Sequence, residues 1–96
     1  MPRRQRRQRT VYVGDQRWKI LRKRMRKDDG QCDYNTQTIR LDDRLHGVDL
    51  LDTLIHELIH ARWPDLSESA VAEFSETVSG VLDAEGFRQP DDHDEE

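Results

Sequence analysis

Residues 53–61 have the sequence Thr53-Leu54-Ile55-His56-Glu57-Leu58-Ile59-His60-Ala61. Two histidines lie four positions apart, and a glutamate directly follows the first. On an α-helix, side chains at this spacing share one face, with Cβ atoms about 5–6 Å apart, and two such imidazoles can bind one Zn²⁺ ion. Glu57 lies about 100° around the helix from His56, where it can accept a proton from a zinc-activated water without binding the metal. The stretch therefore predicts a helix that carries a zinc site.

The residues around this motif indicate that the helix is buried. The apolar positions are Leu50, Leu51, Leu54, Ile55, Leu58 and Ile59. A helix that is apolar on nearly every side is typical of a protein interior, where histidine and glutamate are uncommon. We predict a helix over residues 48–63, ended by Pro64. Asp52, one turn before His56, is a candidate to hold the free ring N–H of His56; stabilisation of the helix dipole is the alternative role.

A second helix is predicted over residues 67–85, with Ser67 as its N-cap. Its predicted core positions recur at helical spacing: Val71, Phe74, Val78, Val81 and Leu82. Beside them runs a row of small residues broken by one carboxylate: Ala70, Glu73, Thr77, Gly80 and Ala84. Because the loop between the two helices is short, we expect the helices to pack antiparallel, with the small residues allowing a close approach.

A zinc site of this kind needs a third protein ligand. Folding the chain back near Asp65 places residues 70–74 opposite the two histidines. Glu73 is the only Asp, Glu, His or Cys in that window, so Glu73 is predicted to be the third ligand. Glu76 and Glu68 are the reserve candidates, each about one turn away from the required height.

The residues before the first helix predict strands and turns. Residues 10–13 and 18–22 suggest a hairpin, and residues 30–41 suggest another, with a turn at 35–37. The predicted fold is α+β: a small antiparallel sheet of about three to four strands packed on the helix pair. We expect one domain over residues 10–88, between a disordered basic arm (1–9) and a disordered acidic tail (89–96).

Composition and charge limit the function classes. No apolar run is long enough to span a membrane and a single cysteine excludes a disulfide framework, so we expect a cytoplasmic protein. The net charge of −4 hides a division: residues 1–27 carry twelve Lys/Arg against one acid, and residues 28–96 carry four against nineteen. This asymmetry is typical of nucleic-acid contact through residues 3–9 and 17–27, and equally of charge complementarity within the chain.

The motif His56-Glu57-Leu58-Ile59-His60, with Glu73 on the next helix, resembles the zinc metallopeptidases of the gluzincin type. Residues 53–68 are similar to small SprT-like and ImmA/IrrE-like proteins, and residues 30–41 resemble the strand before their active-site helix. The resemblance implies a zinc metalloendopeptidase with one Zn²⁺ ion, acting on a protein or peptide. It also implies that an edge strand pairs with the extended substrate; here that strand would be Thr38, Ile39, Arg40 and Leu41.

The sequence offers weaker candidates for the remaining roles. A group that stabilises the oxyanion is not obvious; Tyr34 is the candidate chosen, with His46 and Arg62 as others. Cys32 would either mask the zinc as a thiolate or pack in a strand. Two functions stay open: a peptidase that uses Glu57 as general base, and a zinc-stabilised regulatory or nucleic-acid-associated module in which Glu57 has no catalytic role.

Overall fold

The computed structural model describes residues 8–90 of the chain. In this range lie four strands followed by two helices: β1 (Gln8–Val13), β2 (Gln16–Lys23), β3 (Gly30–Asp33), β4 (Thr38–Asp42), α1 (Gly47–Arg62) and α2 (Glu68–Ala84). The predicted α+β class is confirmed, and each helix end lies one residue from its predicted position. Neither helix is long and apolar enough to cross a membrane.

The four strands form one sheet in the order β1-β2-β4-β3. β1 pairs antiparallel with β2, and β3 pairs antiparallel with β4, as two hairpins would. β2 and β4, however, run parallel, so the sheet is mixed rather than purely antiparallel. The chain leaves β2 and crosses to the far edge as β3, then returns as β4 in the middle of the sheet. β3 and β1 are consequently the two edge strands.

One face of the sheet packs against α1 to form the core. Alternate residues of the central strands point to this face, and the buried cluster comprises Trp18, Ile20, Ile39, Leu41, Leu50 and Ala61. Ile39 is completely buried. α1 contacts β1, β3 and β4, whereas α2 contacts no element other than α1. α1 is therefore the layer between the sheet and α2, and both of its neighbours constrain its side chains.

α2 packs on α1 through a face that overlaps the predicted one only in part: Val71 is buried and Val78 and Leu82 are half-buried, but the other two predicted core residues are exposed. The buried residues of α2 are Val71, Ser75 and Ser79, while Phe74 and Val81 are 59% and 55% exposed. Ser75 and Ser79 satisfy their hydroxyl groups within the helix, by donating to the carbonyl oxygens of Ala72 and Glu76. Small side chains do lie at the helix interface, but they are serines rather than the predicted row.

The ends of the described region extend the predicted domain by two residues on each side. β1 begins at Gln8, inside the predicted arm. Gln89 Oε1 accepts a hydrogen bond of 2.6 Å from the backbone N–H of Gly47, which fixes residues 87–90 near the start of α1. The predicted disorder of the basic arm and of the acidic tail otherwise falls on residues 1–7 and 91–96, outside the described range.

Candidate metal centre

His56 and His60 lie side by side on α1 and face the first turn of α2. Their ring centroids are 4.9 Å apart. The carboxylate of Glu68 bridges them: Oε2 lies 3.0 Å from His56 Nε2, and Oε1 lies 2.8 Å from His60 Nε2. The helical spacing of the two histidines thus produces the convergence that the motif predicts.

This cluster has the donors of a metal site. One ligand atom from each of His56, His60 and Glu68 lies within 4.8 Å of the other two, and no other such group of three occurs among residues 8–90. Imidazole nitrogens and a carboxylate oxygen are common ligands of divalent transition metals. Both histidine side chains are mostly buried, at 19% and 16% exposure, while Glu68 is 74% exposed. The cluster could therefore hold a metal ion, and its Glu68 side is open to solvent.

In this structure the reserve candidate Glu68, and not the predicted third ligand Glu73, lies against the two histidines. The reason is the rotation of α2 about its axis. At about 100° per residue, Glu73 points roughly opposite to the side of Val71 and Ser75, the buried residues that face α1. Glu73 is exposed for this reason. Glu68 precedes Val71 by three positions and so shares the buried face.

A signal for Glu68 was present in the sequence. Ser67 caps α2 by accepting a hydrogen bond of 3.2 Å from the backbone N–H of Ala70, as predicted. That cap makes Glu68 the first helical residue, where a carboxylate is stabilised by the helix dipole. Burial opposes ionisation of Glu68, but the hydrogen bond from His60 and the proximity of His56 outweigh it, so the pKa of Glu68 is lowered. A long side chain at this position reaches back over the last turn of α1.

Glu57 lies next to the cluster but does not belong to it. Its side chain points toward β3 and is only 8% exposed. Burial raises the pKa of this carboxyl group, against the opposing effect of His56 and His60. A raised pKa is the direction that a carboxylate needs to accept a proton near neutral pH.

β3 approaches α1 most closely at Gly30. A Cβ atom at this position would lie 2.7 Å from Thr53 Cγ2 and 3.0 Å from Glu57 Oε2. Only glycine leaves room for the carboxylate here. A cavity of about 230 Å³ opens beside these residues. Its walls are formed by Asp28, Asp29, Gly30, Asp52, Thr53, His56 and Glu57.

Asp52 lies on the wall of this cavity, one helical turn from His56, as the sequence indicates. Among the described residues it makes no hydrogen bond to His56, so its predicted support of the ring is not seen. Tyr34 donates a hydrogen bond of 3.0 Å to the backbone carbonyl of His60. Its hydroxyl group thereby ties the β3–β4 turn to the end of α1, and the proton is not free for an oxyanion in this conformation. Burial raises the pKa of Tyr34 to about 12.

Cys32 packs against the hydrophobic core and is absent from the metal-binding group. Burial raises the pKa of its thiol to about 11, which disfavours the thiolate that would bind a metal. Of the two roles considered for Cys32, packing is the one that the structure supports.

The strand predicted to pair with the substrate lies inside the sheet and not at its edge. Thr38, Ile39, Arg40 and Leu41 belong to β4, which has β2 on one side and β3 on the other. A strand paired on both sides has no free backbone edge, so β4 cannot bind a peptide by strand addition. The edge strand near Glu57 is β3.

No protein-family model, no curated protein and no solved structure matches this chain. A functional assignment therefore depends on the site itself and on its chemistry.

Proposed function

We propose that this protein is a zinc-dependent metalloendopeptidase. The observation that carries the proposal is the position of Glu57: a carboxylate, 8% exposed, that lies beside the two histidines of the cluster on the same helix and faces Gly30 of an edge strand. A glutamate that only stabilised the fold would gain more from an exposed position or an ion pair. His56, His60 and Glu68 would hold the ion, with the two-nitrogen, one-oxygen ligand set known for catalytic zinc sites.

The metal and the residues near it would have separate roles in the reaction. Zinc, when bound, supplies Lewis acidity that makes water more acidic and polarises the scissile carbonyl group. Glu57 would accept a proton from the attacking water and deliver it to the leaving amine. The carboxylate could serve in both steps because it lies beside the two histidines and is not one of the three proposed ligands. The glycine at position 30 keeps the space that this carboxylate occupies.

β3 would align the substrate. Its outer edge is unpaired within the described residues, and it lies against the part of α1 that carries Glu57. An extended peptide that added to this edge would run past the cavity and the metal ligands. Three aspartates on the cavity wall, Asp28, Asp29 and Asp52, favour a substrate with a basic side chain near the cleaved bond.

The experiment that tests the peptidase uses Glu57→Gln, which keeps the size of the side chain and removes its basicity. Purified protein loaded with zinc is assayed on an unfolded protein and on a peptide library containing Lys and Arg. We expect Glu57→Gln to retain one zinc ion per chain and to lose cleavage by about 10²-fold or more. Glu73→Gln, an exposed glutamate of the next helix, is the matched control and should cleave like wild type. Cleavage by Glu57→Gln at the wild-type rate would exclude this mechanism.

The role of β3 has its own test. Peptide bound to Glu57→Gln should slow amide hydrogen exchange in β3 and leave β1, the other edge strand, unchanged. Protection of β1 alone, or of neither strand, would contradict the proposed alignment.

A further inference from the structure

The face of the sheet that does not pack on α1 presents a set of cations that neither the metal centre nor the core uses. In β2, Trp18 and Ile20 point into the core, so the alternate residues Arg17, Lys19 and Lys23 point the other way. All three are exposed. We refer to this side of the sheet as the outer face.

The register extends this row across the sheet. Tyr12 of β1 pairs with Arg17, and Thr10 pairs with Lys19, so both lie on the outer face. Tyr12 is 71% exposed, the largest exposure among the large hydrophobic residues of the described chain. Neutral polar side chains complete the surface: Gln8 and Thr10 on β1 and Gln31 on β3, all exposed.

The outer face is positive because its acids are already paired. Asp33 lies 3.2 Å from the guanidinium of Arg40, and Asp42 lies 2.6 Å from that of Arg44. Arg17, Lys19 and Lys23, by contrast, make no ion pair within residues 8–90. No helix of the described chain covers them, since α1 packs on the opposite face and α2 contacts only α1. Four further arginines precede β1 in the sequence: Arg3, Arg4, Arg6 and Arg7.

We propose that the outer face binds single-stranded RNA. Arg17 and Lys19 are two residues apart on the strand, a distance of about 6.7 Å, and Lys23 follows on the same face beyond Leu21; these three cations of β2 can contact successive phosphates of an extended backbone. Tyr12 at the end of this row offers a ring on which an unpaired base can stack. The outer face is a sheet surface with no helix projecting from it in the described chain, and a surface four strands wide does not enter a duplex groove, which favours a single strand over a duplex. Gln8, Thr10 and Gln31 supply neutral hydrogen-bonding groups for ribose 2′-hydroxyls, the feature that distinguishes RNA from DNA.

Fluorescence anisotropy with a labelled 12-nucleotide RNA of mixed sequence tests this proposal on the full chain. Lys19→Gln/Lys23→Gln is compared with Arg62→Gln/Arg88→Gln, which removes the same charge from residues outside the sheet. We expect the first pair to reduce the slope of log affinity against log salt by about 1.4, since each lost phosphate contact contributes about 0.7 on a single strand. Tyr12→Ser should weaken binding by about tenfold with little change of that slope, and Tyr12→Phe should bind like wild type.

The outcomes separate the alternatives. Equal losses in the two double variants would overturn the proposal, because the binding would then follow net charge alone. Binding to the matching DNA strand or to an RNA duplex as tight as to the RNA strand would overturn the assignment to single-stranded RNA. Thermal melts confirm that each variant is folded. Glu57→Gln should bind RNA like wild type, so that loss of peptidase activity and loss of RNA binding remain separate results.

Discussion

Glu57 shows how one residue depends on the backbone opposite it. Its carboxylate is buried, which costs free energy unless the surroundings compensate. The histidines of α1 lower the cost on one side, and Gly30 leaves room on the other. The site is therefore sensitive to a single methyl group on β3.

Gly30→Ala tests this at the residue scale. The new Cβ would lie within 3.0 Å of Glu57 and Thr53, so we expect a loss of about 1–3 kcal/mol in the free energy of unfolding from overpacking. Displacement of Glu57 should lower cleavage as well. Gly80→Ala is the control: no atom lies within 4 Å of its new Cβ, and alanine in a helix interior should stabilise by roughly 0.5–1 kcal/mol. Denaturant titrations measure the free energy of unfolding of both variants. If Gly30→Ala were as stable as wild type, the close contact between Gly30 and Glu57 would be refuted.

Asp42 gives a prediction for pH. Hydrogen bonds from the side chain and backbone of Arg44 lower the pKa of Asp42 from 3.8 to about 2. A carboxyl group whose pKa is lower in the folded state stabilises the fold above the unfolded pKa, and this contribution is lost as the pH falls toward the folded pKa. Between pH 4 and pH 2, the stability of wild type should therefore fall more steeply than that of Asp42→Asn. Parallel pH profiles for the two proteins would argue against the pairing, and Arg44→Gln should flatten the profile as Asp42→Asn does.

Residue identities within the site were predictable to different degrees. His56, Glu57 and His60 follow from local spacing on one helix, which the sequence contains directly. Glu68 does not, because the third ligand depends on how α2 is rotated, and that is decided by contacts with α1. The prediction of Glu73 used only the distance along the helix pair. The rotation of α2 about its axis instead brings Glu68 to the histidines.

At the scale of elements, α2 is bound to the molecule by few side chains. It contacts only α1, and two of its three buried residues are serines. The large apolar residues Phe74 and Val81 suggested a face rotated toward them, since apolar periodicity is the usual guide to burial. Serines allow the two helices to approach closely enough for Glu68 to reach both histidines.

Ser75→Leu should therefore act on both stability and metal binding. Ser75 is 1% exposed, so a larger side chain must push the helices apart. We expect a loss of about 1–3 kcal/mol in unfolding free energy and weaker zinc binding as Glu68 moves away. Ala72→Leu, a small-to-large change on the exposed side of α2, should leave both nearly unchanged. Equal effects of the two substitutions would contradict the observed orientation of α2.

In the strands, too, features that depend on residues close in sequence were predictable, and features that depend on distant residues were not. Both hairpins could be predicted from alternating side chains and turn residues, and both are present. The parallel pairing of β2 with β4 could not, because it depends on residues 24–29 crossing to the far edge of the sheet rather than turning back. That crossing moves residues 38–41 to the centre and makes β3 the edge.

On the scale of the whole molecule, the metal should contribute to stability as well as chemistry. The described domain has 83 residues (8–90), a size at which a hydrophobic core gives limited stability. Zinc at 100 times its dissociation constant should stabilise the folded state by about 2.7 kcal/mol. For a domain of this size that corresponds to a rise of roughly 10–20 °C in Tm. A chelator should reverse the rise, and a Tm independent of zinc would contradict a site formed by the folded chain.

The charge distribution also belongs to this scale. Among the Lys and Arg residues between 8 and 27, Arg17, Lys19 and Lys23 lie on the outer face of the sheet, and α2 with its acids lies on the far side of α1. The charge asymmetry was visible in the sequence. Whether the basic and acidic parts pair with each other could be judged only from the structure, in which the sheet, α1 and α2 form successive layers. Within residues 8–90, α1 separates the sheet from α2, so the cations of the outer face and the acids of α2 do not contact each other.

The most direct test of the account is a zinc titration of three proteins in competition with a chromophoric chelator: wild type, Glu68→Gln and Glu73→Gln. We expect wild type and Glu73→Gln to bind one zinc ion per chain with equal affinity. Glu68→Gln should bind at least tenfold more weakly, because its amide cannot replace the charged oxygen ligand between the two histidines. Equal affinity of Glu68→Gln and wild type, or a loss confined to Glu73→Gln, would contradict the metal centre described above.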